Sequence, residues 1–377
     1  MKKCNRIISM ILTIIMLSAM IVGCSNKTLE AQQLEGSKTE TPAASSEAET
    51  KIVTNLNGTE IEVPVNVERV AALFGPSYEK IYLLNAEDKI VAAGDFHKGG
   101  WPWSNQIYKR LDTVVGIENA HSSLNIENLL KYEPQVVFYF PNPEAVASIN
   151  EAGMVAIPMA STGKFEDTKN VLTVYADVLG GEAVDIAKKY ANYFDEKVKL
   201  VTDITSKISK EDRPDVYFSN QNILWTAGKK SDMVEVIELA GGNCVHKEIE
   251  GGSKNEITIE QLLEWNPDYI FVDHAGSSGN ATAEEVIKDM LDDNRYEQIK
   301  AIKNDNIYIS PTGVFFWDAG QQKVLMLMWM AKHLHPEHFS ALDMAQELKY
   351  FYKEFYRYDL TDQETDRILK HLNPMVN

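Results

Sequence analysis

One fifteen-residue phrase occurs twice in the chain, and it constrains the architecture more than any other feature. The first copy reads LNIENLLKYEPQVVF over residues 124–138, and the second reads ITIEQLLEWNPDYIF over residues 257–271. Both place Ile-Glu ahead of two leucines, then a proline and an apolar run rich in strand-forming residues. Because proline ends a helix and such a run suits a buried strand, each copy predicts a short helix followed by a strand. The repeat therefore predicts two related α/β lobes.

Apolar runs elsewhere in the chain predict further strands and helices of the same α/β type. Between the two copies, residues 182–208 show helical periodicity without glycine or proline. A helix of that length, rising about 1.5 Å per residue, can span the molecule. We therefore predict an N-terminal α/β lobe over 52–181, a connecting helix over 182–212 and a C-terminal α/β lobe over 213–377.

The first 51 residues differ in composition from the rest. Basic residues precede an almost wholly apolar run over 7–22, which is short for a membrane span and typical of a secretory signal. The run ends in Val-Gly-Cys, which resembles the lipobox of bacterial lipoproteins and implies a signal peptide over 1–23 and lipidation of Cys24. Residues 24–51 then read as a flexible tether. We expect a protein exported to the extracytoplasmic face of the cell membrane and held there by its lipid anchor. The alternative is an uncleaved anchor.

Charge and cysteine content exclude several classes of protein. With 37 Lys and Arg against 55 Asp and Glu, the formal net charge is −18, which argues against nucleic acid as a partner. Three cysteines exclude a disulfide framework and a cysteine-rich zinc site. The sequence also lacks a His-Glu-x-x-His motif, a Gly-x-Ser-x-Gly elbow and a Walker loop. We predict a binding protein rather than an enzyme, with an exported lipoprotein enzyme or an adhesive lipoprotein as the alternative classes.

Four further segments resemble one family in order and spacing: residues 53–64, 68–70, 237–243 and 313–355. Together with the lipobox, they resemble the periplasmic-binding family that delivers iron–siderophore, haem and cobalamin to ABC importers. The resemblance implies two lobes joined by one long helix, with the ligand in the cleft between them, as in class III solute-binding proteins. It also implies a permease dimer with ATPase subunits as partner, and no intrinsic cofactor.

The resemblance implies a small-molecule metal chelate as cargo, most directly an iron–siderophore complex. Positive charge is sparse in the loops that would face such a ligand. Haem, a corrinoid, a nickel or cobalt chelate and molybdate therefore stay open as cargo.

The repeated phrase carries one glutamate in each lobe, Glu127 and Glu260. In the family, an acidic side chain on each lobe docks against arginines of the two permease subunits, and these two residues occupy the matching places. A charge-assisted pair with arginine fixes register and speeds encounter. The alternative is that each glutamate sits in a first helical turn and interacts favourably with the helix dipole.

Ligand contacts in open α/β lobes come from loops beyond the carboxyl ends of strands. Several of these loops hold aromatic clusters, and exposed aromatic rings favour packing against a large planar or apolar chelate. Trp101, Trp103 and Trp317 are the strongest candidates, with lobe packing as the alternative role. His97 and His274 lie in two opposed loops and could coordinate a metal, or be exposed polar residues. The predicted ligand-contacting residues are Ser77, Tyr78, His97, Trp101, Trp103, Tyr139, Trp225, His274, Phe316 and Trp317.

Overall fold

The computed structural model describes residues 49–95, 101–108, 110–159, 162–220, 222–273 and 282–375. All of them belong to one compact unit. No helix in these ranges is both long enough and apolar enough to cross a membrane.

The first lobe combines an antiparallel hairpin with a parallel sheet. Its strands are β1 (Thr50–Thr54), β2 (Glu60–Pro64), β3 (Val70–Ala72), β4 (Ile90–Gly94), β5 (Val115–Ile117), β6 (Val136–Tyr139) and β7 (Val155–Pro158). Its helices are α1 (Ser77–Leu83), α2 (Pro102–Ile107), α3 (Ile126–Leu130), α4 (Pro143–Glu151) and α5 (Asp167–Leu179). The parallel sheet has the order β5-β4-β3-β6-β7. Strands β3 and β6 are buried along their whole length, as expected for central strands covered on both faces.

A single long helix, α6 (Glu182–Thr205), follows the first lobe. Its 24 residues correspond to a length of about 36 Å. Gly180 and Gly181 precede it with φ angles of 69° and 60°, which glycine adopts without a steric penalty, so the chain can reverse sharply after α5. Its buried stripe includes Tyr190, Phe194 and Val201.

The second lobe contains a mixed sheet. Its strands are β8 (Asp215–Asn220), β9 (Asn222–Thr226), β10 (Asn243–Cys244), β11 (Asn255–Glu256), β12 (Tyr269–Asp273) and β13 (Ile307–Ile309). Its helices are α7 (Asp232–Leu239), α8 (Ile259–Trp265), α9 (Ala283–Asp292), α10 (Lys300–Lys303) and α11 (Lys323–Leu334). The sheet has the order β11-β9-β8-β12-β13, with β10 beside β8. Strands β8, β12 and β13 are parallel, and β9 and β11 run antiparallel at one edge.

The repeated phrase folds as predicted in both lobes. Its copies form α3 with β6 and α8 with β12, and each strand pairs with the first parallel strand of its own lobe. The two helices have equivalent N-caps. The Asn125 side chain accepts a hydrogen bond from the Asn128 amide, and the Thr258 hydroxyl accepts one from the Gln261 amide. Glu133 (φ 44°) and Asn266 (φ 43°), at equivalent places in the two copies, lie in the left-handed region. The prediction of two related α/β lobes is confirmed.

Helix α12 (Met344–Tyr356) contacts both lobes, and α13 (Asp362–Leu369) packs on α12. Helix α12 packs on α11, and its Tyr356 hydroxyl donates to Glu79 of α1 at 2.5 Å. Beyond α13, the Leu372 carbonyl accepts from the Trp103 indole at 2.9 Å. The sequence assigned residues 213–377 to the second lobe alone. The structure adds that this final segment also contacts the first lobe, through the hydrogen bonds to Glu79 and from Trp103.

Candidate functional site

Aromatic side chains from the two lobes meet where the central strands end. Phe74 follows β3 and lies 5.1 Å, ring centroid to centroid, from Phe140, which follows β6. Trp101 lies 4.7 Å from Phe315 and 5.5 Å from Phe316, two residues of the loop beyond β13. We call these five residues the aromatic cleft. It lies at the carboxyl ends of parallel strands, which is the general location of ligand sites in α/β folds.

Hydrogen bonds hold the two loops of the aromatic cleft in place. The amides of Leu73 and Phe74 both donate to the Phe138 carbonyl at 3.0 Å, which extends the β3–β6 pairing into the loop. On the second lobe, Thr312 and Phe316 form an isolated antiparallel bridge. Backbone pairing therefore fixes the loop on each side of the cleft, and a preformed binding site requires such fixed loops.

Beneath the second-lobe loop, one glutamine holds two buried aromatic residues. The Gln322 side-chain oxygen accepts from the Trp317 indole at 3.1 Å and from the Tyr352 hydroxyl at 2.7 Å. All three residues are fully buried. Trp317 therefore supports the loop from the protein interior and does not form part of the loop surface.

Four other predicted ligand contacts are likewise buried among protein atoms. The Ser77 hydroxyl shares a 2.8 Å hydrogen bond with the Tyr175 hydroxyl, and Tyr139 donates to the Ala120 carbonyl at 2.6 Å. The five buried predictions, at 0–2% exposure, are Ser77, Tyr78, Trp103, Tyr139 and Trp317. Tyr78 packs on the Tyr108 ring at 5.1 Å, and the Trp103 indole donates to the C-terminal segment. In this structure these side chains face protein atoms, because aromatic side chains in strand-end loops can turn into the core as readily as outward, and their contact with a ligand stays a prediction.

Three other predictions have different surroundings. Phe316 is also buried, at 4% exposure, but it packs on Trp101, which is half-buried. The Trp101 indole nitrogen is shielded from solvent and has no acceptor among the described residues. Trp225, in β9, is also half-buried, and the Lys254 ammonium lies 3.6 Å above its ring. Sequence reasoning missed Lys254, because nothing in the local pattern indicates that it would reach over Trp225.

The remaining predictions concern metal coordination and lipidation. His97, His274 and Cys24 lie outside the described residues. Within the described ranges, no group of three or more His, Cys, Asp and Glu side chains is arranged to hold a metal ion.

The two glutamates of the repeat are both exposed, in the first turns of α3 and α8. Hydrogen bonds from its own backbone and from the Thr258 side chain lower the pKa of Glu260 below its ordinary value. Glu127 and Glu260 therefore occupy equivalent, solvent-accessible places on the two lobes, where a partner could reach both.

Comparison with known proteins gives a consistent result. A family model described as periplasmic binding protein matches residues 70–312. The molybdate-binding protein MolA of Haemophilus influenzae (strain ATCC 51907 / DSM 11121 / KW20 / Rd) is 25% identical over 343 residues, which cover 81% of this chain and 91% of MolA. The iron-uptake system-binding protein of Bacillus subtilis (strain 168) is 26% identical over 191 residues, covering 49% and 58% of the two chains.

Solved structures agree with this relationship. A periplasmic solute-binding protein from Veillonella parvula DSM 2008 superposes with a TM-score of 0.71 at 27% identity, covering 85% of this chain and 97% of the other. The Ni-His complex of Helicobacter pylori CeuE superposes with a TM-score of 0.69 at 20% identity, with 85% and 99% coverage, and shows likeness of fold. From the match over residues 70–312 and these structures, the chain belongs to the periplasmic binding protein family, the solute-binding proteins of ABC importers.

Proposed function

We propose that this solute-binding protein captures a metal chelate of the iron–siderophore type in the aromatic cleft and delivers it to an ABC importer. The observation that carries the proposal is the contact across the lobes between Trp101 and Phe315, 4.7 Å apart, with Phe74 and Phe140 paired at the ends of β3 and β6. Aromatic walls suit a ligand with a planar or apolar surface. The unbonded Trp101 indole N–H would then donate to a ligand oxygen.

Two relatives support a metal-containing cargo. The Bacillus subtilis protein is an iron-uptake system-binding protein, and CeuE has been solved in a Ni-His complex. Molybdate is the second candidate cargo, because MolA matches this chain over 91% of its own length. A haem, a corrinoid and a nickel or cobalt chelate complete the set that the experiment has to separate.

A thermal-shift screen of the purified protein tests the cargo. The panel contains ferric siderophores, haem, corrinoids, nickel and cobalt chelates, and molybdate. A ligand that binds the native state alone stabilises it by RT ln(1 + [L]/Kd), so the cargo should raise the melting temperature in a concentration-dependent way. No shift from any member of the panel, with folded protein, contradicts the proposal.

Variants then assign the bound ligand to the aromatic cleft. Trp101→Ala should weaken binding by about tenfold or more, because buried tryptophans contribute strongly to binding energy. Trp101→Phe keeps a ring and removes the N–H donor, so it should lose less affinity. Tyr350→Ala, at an exposed ring outside the cleft, is the matched control and should bind as the wild type does. Unchanged affinity in Trp101→Ala would place the ligand elsewhere.

We further propose that Glu127 and Glu260 dock the protein on its permease dimer. Their support is exposure at equivalent positions of the two lobes. Arginine pairs there would speed encounter and set orientation. Glu127→Gln and Glu260→Gln should lower transport in cells while ligand affinity stays unchanged. Glu264→Gln, at an exposed position on the same helix as Glu260, is the control. Full transport by the double variant refutes the docking role.

Anchoring through Cys24 is the last part of the proposal. Its support is the apolar run over 7–22 ending in Val-Gly-Cys. Metabolic labelling with a tagged fatty acid should label the wild type and a Cys4→Ala variant, and should leave Cys24→Ala unlabelled. Label that persists on Cys24→Ala shows that the acyl group is attached elsewhere.

A further inference from the structure

A second pocket lies between the lobes, beside the aromatic cleft. Its volume is about 130 Å³, and it lies between α1, α5, α7 and the start of α11. Phe74 lines both sites, whereas Trp101, Phe140 and Phe315 do not line this pocket. Its charged lining residues are Lys80, Asp167, Asp232 and Lys323. We call it the Lys80 pocket.

Lys80 is the unusual member of this lining. It is 3% exposed, and its ammonium forms no hydrogen bond or ion pair in the described part of the chain. Glu79, the preceding residue, accepts at Oε1 from the Gln321 amide and the Tyr356 hydroxyl, and its carboxyl interacts with Lys80 through space without an ion pair. Burial lowers the pKa of Lys80 to about 8, so the side chain is still mainly protonated at neutral pH. A buried cation without a partner is costly unless an anion compensates it.

The other charged residues of the pocket are already engaged. Lys323 forms an ion pair with Asp232. Asp167 accepts from the Thr162 amide and hydroxyl. Among the charged lining residues, Lys80 is therefore the one whose ammonium has no hydrogen bond or ion pair in the described ranges, and the neighbouring Glu79 compensates its charge only through space.

Three helices also begin at the walls of the pocket. Their first residues, Asp167 of α5, Asp232 of α7 and Lys323 of α11, all line it. Helix amino termini carry partial positive charge. The first amides of α5 and the Lys323 amide of α11 already donate to backbone carbonyls, so the helices contribute this potential rather than free N–H donors. Helix α11 has no side-chain cap at its N-terminus, and its first turn follows the lining residues Ala319 to Gln321. The two aspartates offset part of this positive potential, and Lys80 adds to it.

We propose that the Lys80 pocket is a second binding site, separate from the aromatic cleft, for a small oxyanion or carboxylate. Such an anion supplies a direct hydrogen-bonded partner for the Lys80 ammonium and lies in the positive potential of the three helix starts. Because Lys80 belongs to the first lobe and Lys323 to the second, an anion between them bridges the lobes. The inference does not depend on which cargo the aromatic cleft holds.

Calorimetric titration of the purified full-length chain tests the site. The probes are molybdate, sulfate, phosphate and acetate at constant ionic strength, which separates inorganic oxyanions from a simple carboxylate. We expect saturable one-to-one binding of at least one probe. Lys80→Met should weaken that binding by about tenfold or more, since a charge-assisted contact is lost. Lys80→Gln gives a second, polar replacement if the methionine variant does not fold.

Two controls separate this site from its surroundings. Lys207→Met, which removes an exposed lysine, should bind the anion with wild-type affinity. Trp101→Ala, which damages the aromatic cleft, should also retain it. Without anion, Lys80→Met should melt at least as high as the wild type, because a buried unpaired charge is gone.

Three outcomes overturn the inference. The first is that none of the four probes binds, and the second is that both Lys80 variants bind with wild-type affinity. The third is that Trp101→Ala loses the anion while the Lys80 variants keep it, which locates the anion in the aromatic cleft. That third result leaves the proposed transport function intact, so the two proposals can fail independently.

Discussion

Two tyrosines of α12 provide a matched pair for measuring the network between the lobes. Tyr356 donates to the Glu79 carboxyl at 2.5 Å, and Tyr352 donates to the Gln322 amide oxygen at 2.7 Å. Both rings are 0% exposed. Each acceptor oxygen has a second donor, the Gln321 amide for Glu79 and the Trp317 indole for Gln322. Tyr356→Phe and Tyr352→Phe therefore each remove one buried hydroxyl. The acceptor is an ionisable carboxyl for Tyr356 and a neutral amide oxygen for Tyr352.

The expected losses follow from that difference. A hydrogen bond to a charged group contributes about 1.5–3 kcal/mol to the free energy of unfolding, against about 0.5–1.5 kcal/mol for a neutral pair. Tyr356→Phe should therefore cost about 2–3 kcal/mol when Glu79 is ionised, and Tyr352→Phe about 1 kcal/mol. Phenylalanine fills nearly the same volume, so the cavity contribution is small in both variants.

The pH dependence identifies the acceptor. Burial raises the pKa of Glu79 above its ordinary value of 4.5, while Lys80 and the Tyr356 hydrogen bond lower it. The native carboxyl thus binds its proton more tightly than the unfolded chain does, and stability falls as pH rises from 4.5 towards the native pKa. Removing the Tyr356 hydroxyl raises the native pKa further. The deficit of Tyr356→Phe should therefore be smallest in acid and grow as pH rises, whereas that of Tyr352→Phe stays constant.

Urea denaturation of both variants and the wild type measures these quantities. The series runs from just below the ordinary carboxyl pKa to mildly alkaline pH, with slopes checked for constancy. Equal losses in the two variants, running parallel across pH, refute the assignment of Glu79 as an ionisable acceptor between the lobes. A double variant with Glu79→Gln should abolish the pH dependence of the Tyr356→Phe deficit.

Three further predictions concern the supports of the fold. Trp317→Phe should lower the stability of the native state by about 1–3 kcal/mol, because it removes a hydrogen bond and leaves a small cavity, as thermal melting would show. Cargo affinity should stay unchanged. Lost affinity at unchanged stability would contradict the buried position of Trp317. Gly313→Ala should cost about 2 kcal/mol, because a Cβ there overlaps the Tyr352 hydroxyl, and the Tyr352→Phe background should relieve part of the loss in urea denaturation. Thr361→Ala removes the capping box of α13 and should cost about 1 kcal/mol by the same assay, while Thr361→Ser should retain most of it.

Local patterns predicted much of the fold. The helix–proline–strand phrase recurs because the same periodicity and caps operate in both lobes, and the structure reproduces both copies. The glycine-free run over 182–208 corresponds to α6, which ends at Thr205. The first strand begins at Thr50, within the segment predicted as tether. Short strands at such edges lack a long apolar run, so composition alone does not identify them.

The site was harder to predict than the fold. Position at a strand end indicates which loops surround a cleft, and that reasoning selected Trp101 and Phe316. It does not indicate which way each ring turns, because this depends on acceptors far away in sequence. Trp103 turns inward to a carbonyl 269 positions later in the chain. Lys80 was not selected, because an isolated lysine on a short helix carries no signal of burial.

The return of the C-terminal segment affects the order of folding. The Glu79 carboxyl accepts a hydrogen bond from Tyr356, 277 positions later in the chain. This buried carboxyl of the first lobe therefore gains this hydrogen-bond partner only after α12 has been synthesised. During synthesis, which runs from the amino terminus, the surface of α1 that faces α12 stays uncovered until almost the whole chain is made. Contacts of such long range also slow folding, because loop closure precedes the contacts that stabilise the loop. A chain that stops before α12 would lack the Tyr356 hydroxyl that donates to Glu79, and water could then reach this carboxyl.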